Sequence, residues 1–496
     1  MGTLRYSALA TSRASRAMRV LRAAAALGAG IGLVILAETD PQAQSLTGVR
    51  DPGPRAGSVD AGQVYAGLTS QQNAIFATAK EAFEEIGSVQ GKIPNTGVGL
   101  GPRFNSVSCG SCHAQPAVGG SSPSAKVYPN IGPNPQIAAA NLQGATNRIP
   151  YFIRPDGPVR EARFKSVVRN GAVTDTPDGG VHALFTVAGR TDATNVVGAT
   201  GVAQTCRLAQ PDFDTMRRLD NIEFRIPTPV FGAGLIESIT DKAILDNMNA
   251  QSSDKRALGI SGKPNRNGND GTITKFGWKA QNISLTMFAG EAYNVEQGVT
   301  NELFTQERAD PGETLPVECL FNGAPEDTTN LDNPSESPHG DLVLFSMFMR
   351  FLAPPTPSTS SPGGAASIQR GATLFRDTVK CALCHTPSMA VGWSSFSRSL
   401  GPTQANLYSD LLVHDMGQRL ADGVSQGAAS GSEFRTAPLW GLGQRAFFLH
   451  DGRSSDLNEV IMLHGARDSE ARGTVDNYLR LPDADKQNLL NFLRSL

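Results

Sequence analysis

The sequence CGSCH at residues 109–113 has the pattern C-x-x-C-H, and the same pattern returns as CALCH at residues 381–385. Two thiols at this spacing can add to the vinyl groups of a haem, and the histidine that follows reaches the iron from the proximal side. A zinc site built from two Cys-x-x-Cys pairs is the alternative, but it leaves both histidines without a role. The sequence therefore predicts two covalently bound c-type haems. The predicted attachment residues and proximal ligands are Cys109, Cys112 and His113 at the first site and Cys381, Cys384 and His385 at the second.

The first 44 residues have the three parts of a secretory signal. A segment with five arginines precedes an apolar run at residues 23–37, and small polar residues follow at 43–45. A retained membrane anchor is the alternative, but a spanning helix needs roughly 20 apolar residues and this run is shorter. We therefore expect a signal peptide at residues 1–44 and a periplasmic location, where c-type haem is attached. No later segment is apolar for long enough to cross a bilayer, so we do not expect an integral membrane protein after signal removal.

The net charge of the chain indicates which binding partners can be expected. Removal of residues 1–44 takes away five arginines and two acidic residues, which moves the formal net charge from −2 to −5. A mildly acidic chain is a poor match for nucleic acid, so no nucleic-acid partner is expected. A small redox protein with basic or mixed charge is the electron donor that this balance favours.

Apolar periodicity predicts helices near both motifs. Phe76, Ala79, Phe83 and Ile86 recur at helical spacing between residues 69 and 86, ahead of the first motif. Residues 120–340 contain no repeat, and their short apolar runs, such as 181–187, lie between glycines and prolines. This composition indicates irregular structure with a few strands. We expect a large insertion around the first haem.

Cys206 and Cys319 lie in this insertion and belong to neither motif. In an oxidising compartment a structural disulfide is the simplest expectation, and two separate thiols or a redox-active pair are the alternatives.

A domain boundary is predicted after residue 353. An apolar helix at residues 341–352 ends at two prolines, and a Pro/Ser/Thr/Gly-rich linker follows at 354–364. A short helix before the second motif and a closing helix with Leu489, Leu490 and Leu493 are the two that cross in a cytochrome c fold. The predicted fold is mainly α with extensive loops and few short strands. It comprises an N-terminal haem domain at 45–353 with the insertion and a C-terminal cytochrome-c-like domain at 365–496.

The distal ligands decide what the two irons can do. An iron with two strong axial ligands transfers electrons, whereas an open sixth position can bind peroxide or oxygen. The candidate distal ligands are the methionines, the tyrosines and His182, His339, His414, His450 and His464.

Three segments after the second motif resemble the corresponding region of bacterial di-haem cytochrome c peroxidases and of the related MauG enzymes. They are TAPLWGL at 436–442, FLHDGR at 448–453 and LNEV at 457–460. Residues 60–496 as a whole resemble the di-haem oxidoreductase family of peroxidases, also named thiol oxidoreductases. The segments that carry this resemblance are GLGPRFN at 99–105, FGWKA at 276–280 and SDLLVHDMG at 409–417.

The resemblance implies a distal ligand for the second haem. In the peroxidases, the residue fourteen positions after the histidine of the His-Asp-Gly turn is a ligating methionine, and in MauG it is a tyrosine. In this chain that residue is His464, counted from His450. Imidazole in place of a thioether should lower the potential of this haem. Met416, His414 and Met462 are the rival ligands.

The resemblance also bears on the first haem. The peroxidases carry a displaceable histidine soon after the proximal one, but this chain has no histidine between His113 and His182. We therefore expect an open distal side at the iron bound by His113, as in MauG. In both relatives a glutamate lies over the reactive iron and moves a proton between the peroxide oxygens, and Glu237, after RIPTP at 225–229, is the best match. An ordinary surface glutamate is the alternative for Glu237.

Three further roles follow from the resemblance. Trp278 is the candidate for the aromatic relay between the haems, although a packing role is the alternative. His450 and Arg453 are expected near the haem propionates. The relatives bind calcium through a loop asparagine and backbone carbonyls of threonine and proline, but this chain has Arg445 and Phe447 at the corresponding positions, so calcium binding stays in doubt.

The predicted function is that of a haem-dependent, peroxidase-like oxidoreductase with a reactive N-terminal haem and an electron-transferring C-terminal haem. One alternative is a non-catalytic di-haem electron-transfer cytochrome, for which His182, His339 or a methionine would supply the missing ligand. Another is a di-haem oxygenase that acts on an organic or polymer substrate.

Overall fold

The computed structural model describes residues 48–56, 60–127, 132–197, 203–310, 313–329 and 339–496. The predicted signal peptide at 1–44 lies outside these ranges. Residues 46–496 form one compact unit. The division into haem domains on either side of the linker at 354–364 stays a prediction. Within the described ranges, no helix combines the length and the apolar composition that a membrane crossing needs.

Helices are the main regular structure, as the sequence predicted. In chain order the described α-helices are α1 (Ser70–Glu84), α2 (Cys109–Cys112), α3 (Pro135–Ala140), α4 (Phe213–Arg218), α5 (Ala233–Glu237), α6 (Asp241–Asn249), α7 (Ser252–Leu258), α8 (Leu285–Ala292), α9 (Asp341–Phe351), α10 (Ala365–Thr373), α11 (Leu457–Leu463), α12 (Arg472–Leu479) and α13 (Asp483–Ser495). Single π-helical turns, Tyr293–Gln297 and Leu374–Thr378, extend α8 and α10. Short 3₁₀ turns occur at Thr191–Ala193, Val317–Cys319, Cys381–Leu383, Arg398–Leu400 and Leu442–Gln444.

The strands are short and antiparallel. In chain order they are β1 (Arg103–Phe104), β2 (Glu161–Phe164), β3 (Ser166–Arg169), β4 (Ala172–Pro177), β5 (Val181–His182), β6 (Phe185–Thr186), β7 (Thr194–Val197), β8 (Ala203–Thr205), β9 (Ile222–Arg225), β10 (Met389–Val391), β11 (Thr403–Ala405), β12 (Val413–Asp415) and β13 (Glu433–Arg435). Strand β2 pairs with β5 and with β9, and the other described pairs are β1–β6, β3–β4, β7–β8, β10–β11 and β12–β13. The predicted insertion thus contains a few strands, including β5 and β6 in the apolar run at 181–187.

Two helix pairs flank the haem motifs. Helix α1 begins at a capping box made by Thr69 and Gln72, and it buries Phe76 and Phe83 against α9. Helix α10 packs against α13, and the contact is so close that a Cβ at Gly371 would lie 2.1 Å from the carbonyl oxygen of Asn488. Glycine is therefore required where α10 crosses α13.

Cys206 and Cys319 form a disulfide, which confirms the expected pairing. The bond closes a loop between residues 113 positions apart. On the chain-entropy model, a loop of this size stabilises the folded state by about 4 to 5 kcal/mol. The disulfide joins two buried cysteines within an apolar cluster beside the first haem motif, which holds the long insertion together.

Candidate haem-binding sites

The first motif forms helix α2. Ser108 caps the helix by accepting a hydrogen bond from the Ser111 N–H, and Cys109 and Cys112 both line one cavity. These two thiols do not form a disulfide, in contrast to Cys206 and Cys319. They therefore remain available for attachment to a haem.

The orientation of His113 suits an iron ligand. Its Nδ1 lies 3.0 Å from the carbonyl oxygen of Gly120. A carbonyl can only accept, so Nδ1 carries the proton and Nε2 keeps its lone pair. Burial lowers the pKa of the His113 imidazole to about 4, so the ring is neutral. A neutral imidazole with one nitrogen fixed by a carbonyl is the usual form of a metal-binding histidine.

Charged residues form part of the wall of the first cavity. Among the described residues that line it, His113 is the only histidine, and the side chains of Tyr293 and Met349 are also present. The charged residues of the lining are Arg160, Glu161, Arg163, Arg225, Glu291 and Glu296. The cavity thus combines one candidate nitrogen ligand with several groups that can hold or move a proton.

The other two histidines considered for the first iron lie elsewhere. His182 is buried between two carboxylates, with Nε2 3.1 Å from Asp178 and Nδ1 3.2 Å from Asp310, and its ring stacks on Phe164. His339 is exposed, and neither residue lines the first cavity.

Glu237 does not occupy the position that the resemblance implied. It ends helix α5, where its carboxylate pairs with Arg350 at 2.7 Å and accepts a hydrogen bond from the Leu285 N–H at 2.9 Å. It is not among the residues that line the first cavity. Its contacts join α5 to α8 and α9, which is the arrangement of a structural residue, and its catalytic role stays a prediction.

Two other glutamates lie where a catalytic carboxylate is needed. Glu161 and Glu296 line the first cavity and are hydrogen-bonded to each other. Burial raises the pKa of the Glu296 carboxyl to about 8, and the negative charge of Glu161 adds to the effect. Burial acts to raise the pKa of Glu161 as well, but Arg163, 2.7 Å away, and Arg225 hold it below its usual value. The pair therefore holds one proton near neutral pH.

The turn that carries Glu296 is fixed to the first motif. The Glu296 carbonyl accepts hydrogen bonds from the N–H groups of Asn105 and Ser106, at 2.7 and 3.1 Å. The neighbouring Gln297 donates from Nε2 to the Cys109 sulfur at 3.2 Å. Sequence reasoning missed this glutamate because about 180 residues separate it from the motif and no local pattern marks it.

The second motif repeats the proximal geometry of the first. Cys381 and Cys384 form no disulfide, and His385 places Nδ1 3.0 Å from the Tyr408 carbonyl oxygen. Burial lowers the pKa of the His385 imidazole to about 4. The same argument as for His113 leaves Nε2 of His385 as the unprotonated nitrogen.

His464 lies in the same cavity as His385. Both histidines line this second cavity. His464 follows α11, and its Nδ1 donates to the Val460 carbonyl oxygen at 2.7 Å, so its Nε2 is also unprotonated. The structure thus brings together the two residues that the sequence proposed as the ligands of one iron.

The rival ligands differ in how well they are placed. His414 has both ring nitrogens bound to carboxylates, Asp410 at 3.0 Å and Glu470 at 2.7 Å, so neither nitrogen has a lone pair to offer. Met416 lines the second cavity, whereas Met462 does not. Met416 is therefore the remaining rival to His464. Within the described part of the chain, the one cluster of three potential metal ligands is Cys384, Asp410 and His414. It includes the His414 ring, whose two nitrogens are already hydrogen-bonded to carboxylates.

The second cavity also contains buried donors that suit haem propionates. Nε of Arg435, Nε and Nη2 of Arg445, and Nε2 of His450 are buried and have no hydrogen-bond partner in the protein. Burial lowers the pKa of both guanidiniums to about 10, which is still well above neutral. Buried cations without partners are costly, and an anionic group would satisfy them. His450 is placed as expected, but Arg453 pairs with Asp451 instead and does not line the cavity.

Trp278 lines both cavities. Its indole N–H donates to the Ile226 carbonyl oxygen at 2.9 Å, and its ring meets that of His450 edge-on at 6.4 Å. The side chain is thus fixed in position between the two predicted haem sites. Its placement suits the relay role that the resemblance implied.

Residues 176–496 match the protein family described as "Di-haem oxidoreductase, putative peroxidase". No curated protein matches the chain. Hydrazine synthase from Kuenenia stuttgartiensis is 18% identical over 34% of this chain and 60% of its own, with a TM-score of 0.21. A MauG-like protein associated with microbial copper homeostasis is 15% identical over 54% of this chain and 90% of its own, with a TM-score of 0.28. These two likenesses are too weak to carry an argument, but the family match spans more than half of the chain. The chain belongs to the di-haem oxidoreductase family.

Proposed function

We propose that this protein is a periplasmic c-type oxidoreductase of the peroxidase type. Its first haem site would react with hydrogen peroxide or a related oxidant, and its second would pass electrons to the first. The difference between the two cavities carries the proposal. The second is lined by two histidines with available Nε2 atoms, His385 and His464, whereas the first is lined by His113 alone among the described histidines.

The residues present fit two covalently held haems. Cys109 and Cys112 would attach the first, and Cys381 and Cys384 the second. Haem bound in this way would supply redox-active iron with an exchangeable position at the first site. Arg435 and Arg445 would neutralise the propionates of the second haem, and the neutral ring of His450 would hydrogen-bond to one of them.

Glu296 and Glu161 would handle the proton that peroxide cleavage requires. Heterolysis of the O–O bond needs a proton on the departing oxygen, and a carboxyl with a pKa near the working pH is suited to donate it. Glu296 holds its proton up to about pH 8, while Arg163 keeps Glu161 anionic and able to accept one. We therefore assign to this pair the acid–base role that the resemblance had implied for Glu237.

Trp278 would shorten the path for electrons between the sites. Its indole lies against both cavities, so an electron would need to cross less non-conjugated protein than it would around the side chain. The hydrogen bond to Ile226 holds the ring at this position.

Electron paramagnetic resonance of the purified ferric protein tests the proposal. We expect one low-spin signal with bis-histidine character and one high-spin signal, and peroxide should alter the high-spin signal. Two fully low-spin haems that do not respond to peroxide would refute the enzymatic function.

Met349 gives the electron-transfer alternative a specific basis. Its thioether lines the first cavity together with His113, so it is a possible second axial ligand. A Met349→Leu variant distinguishes the two cases. Under the proposed function the high-spin signal is already present in the wild type, whereas an electron carrier would acquire it only in the variant.

The remaining parts of the proposal concern location and partners. The predicted signal at 1–44 supports export to the periplasm. The packing of α1 against α9 and of α10 against α13 supports cytochrome-c-like units at 45–353 and 365–496. A small redox protein of basic or mixed charge is the proposed electron donor. We do not propose a calcium site, because Arg445 and Phe447 do not match the residues of the relatives.

A further inference from the structure

His414 is a buried residue that the proposed function does not use. It lies in β12, opposite Phe434 of β13, and lines the second cavity. Its Nδ1 is 3.7 Å from the sulfur of Cys384, which is one of the two predicted attachment points of the second haem. The ring packs directly against Gly262, so closely that a Cβ added at Gly262 would lie 2.2 Å from Cε1 of His414.

Two carboxylates determine the charge of this ring. Nε2 faces Asp410 at 3.0 Å and Nδ1 faces Glu470 at 2.7 Å. An ionised carboxylate only accepts hydrogen bonds, so both nitrogens must donate and the ring is an imidazolium.

The two carboxylates accept further hydrogen bonds from nearby donors. Glu470 also accepts hydrogen bonds from the N–H and hydroxyl of Ser261, both at 2.9 Å, and from the N–H of Gly262 at 3.0 Å. Asp410 accepts one from the Leu412 N–H at 3.1 Å. Lys255 contributes positive charge near Asp410. Donors of this kind stabilise a carboxylate and disfavour the acid.

We propose that His414, Asp410 and Glu470 form a fixed charge cluster that sets the reduction potential of the second haem. Reduction adds one electron to the haem, so a nearby positive charge favours it and a nearby negative charge opposes it. The cluster lies in a buried setting, where such interactions are weakly screened. The inference rests on the proposed function only in requiring that the second motif hold a haem, and His414 is a positioning residue rather than a catalytic one.

Redox titration of the second haem in the full-length haem-loaded protein at pH 7 tests the cluster. His414→Gln removes the positive charge and should lower the ratio of reduced to oxidised haem at a fixed potential about tenfold, which corresponds to about 59 mV for a one-electron couple. Glu470→Gln removes a negative charge and should change the ratio in the opposite direction. A surface control, Lys242→Gln, removes a positive charge from a side chain that is 82% exposed and should change the ratio less than twofold.

Opposite shifts in the two cluster variants are the signature of charge, because a loss of packing would move both potentials in the same direction. Shifts in the same direction, or shifts no larger than that of Lys242→Gln, would overturn the proposal. If His414→Gln does not retain haem, Glu470→Gln is compared with the charge-conserving Glu470→Asp. Glu470→Gln should raise the potential and Glu470→Asp should leave it nearly unchanged, and equal shifts in these two variants would overturn the proposal. Wild-type peroxide turnover is measured separately. Its absence together with opposite shifts would refute the proposed function and leave the charge cluster standing.

Discussion

The two cavities have the same kind of haem motif in their lining, but their other lining residues differ. In each cavity the histidine of the C-x-x-C-H motif donates from Nδ1 to a backbone carbonyl oxygen at 3.0 Å. The acceptor is Gly120 for His113 and Tyr408 for His385. The second cavity is also lined by His464, and the first by the charged pair Glu161 and Glu296. We infer that the motif determines where a haem is attached, whereas segments distant in the sequence determine whether its iron can react.

The largest expected effect comes from removing one attachment site. Cys109→Ala combined with Cys112→Ala should reduce the haem content from two to one per chain and abolish peroxide turnover, because the reactive site loses its cofactor. Cys381→Ala with Cys384→Ala should leave one haem and a high-spin signal. The pyridine haemochrome assay and ferric spectra measure both outcomes. Equal spectra for the two variants would contradict the difference between the cavities.

Replacement of the second distal ligand should change the spin state of one haem. His464→Ala should convert the low-spin signal of the second haem to a high-spin one and lower turnover with reductant at least tenfold, since its iron loses a strong axial ligand. Met416→Leu is the matched control, because Met416 lines the same cavity. A low-spin signal that survives His464→Ala and disappears in Met416→Leu would transfer the ligand role to Met416.

Loss of the proton donor should slow the first site only. Glu296→Gln should lower kcat for peroxide about 100-fold, which is the lower end of the usual contribution of acid–base catalysis. In the wild type, the rate should fall as the pH rises through about 8, because Glu296 is the proton donor only below its raised pKa. This decline should be absent from the pH–rate profile of the variant.

Glu237→Gln is the control for that experiment. The change weakens the ion pair with Arg350 and should lower stability by about 1 to 3 kcal/mol, while kcat stays within about twofold of wild type. Thermal unfolding and steady-state kinetics measure the two effects. A large fall in kcat for Glu237→Gln, with little effect from Glu296→Gln, would restore the role that the resemblance implied for Glu237.

An effect on electron transfer alone is expected for Trp278, which lines both cavities. Trp278→Phe replaces the two-ring indole by a single ring and removes the hydrogen bond to Ile226. Electron transfer between the haems should therefore slow about tenfold. Stopped-flow absorbance after rapid reduction of the second haem measures this rate. An unchanged rate would show that Trp278 serves only to pack the region between the cavities.

Local sequence determined the features that depend on near neighbours. The spacing within residues 109–113 and 381–385 identified two haem-attachment sites, and helical periodicity identified α1, α9 and α13 because burial of one helix face repeats every three to four residues. The resemblance brought in His464, since its distance from His450 along the chain is short and regular. The ion pair of Glu237 with Arg350 could not be predicted, because the RIPTP segment before Glu237 says nothing about which partner its carboxylate contacts.

Tertiary structure alone decided which groups face each iron. Glu161 and Glu296 are 135 positions apart, yet they share a hydrogen bond because β2 and the turn after α8 meet beside the first motif. His414 resembled a possible ligand in the sequence, and only the fold shows that Asp410 and Glu470 occupy both of its nitrogens. Hydrogen bonding, burial and charge pairing act through space, so attachment could be inferred from the sequence, but the chemistry opposite each proximal histidine could not.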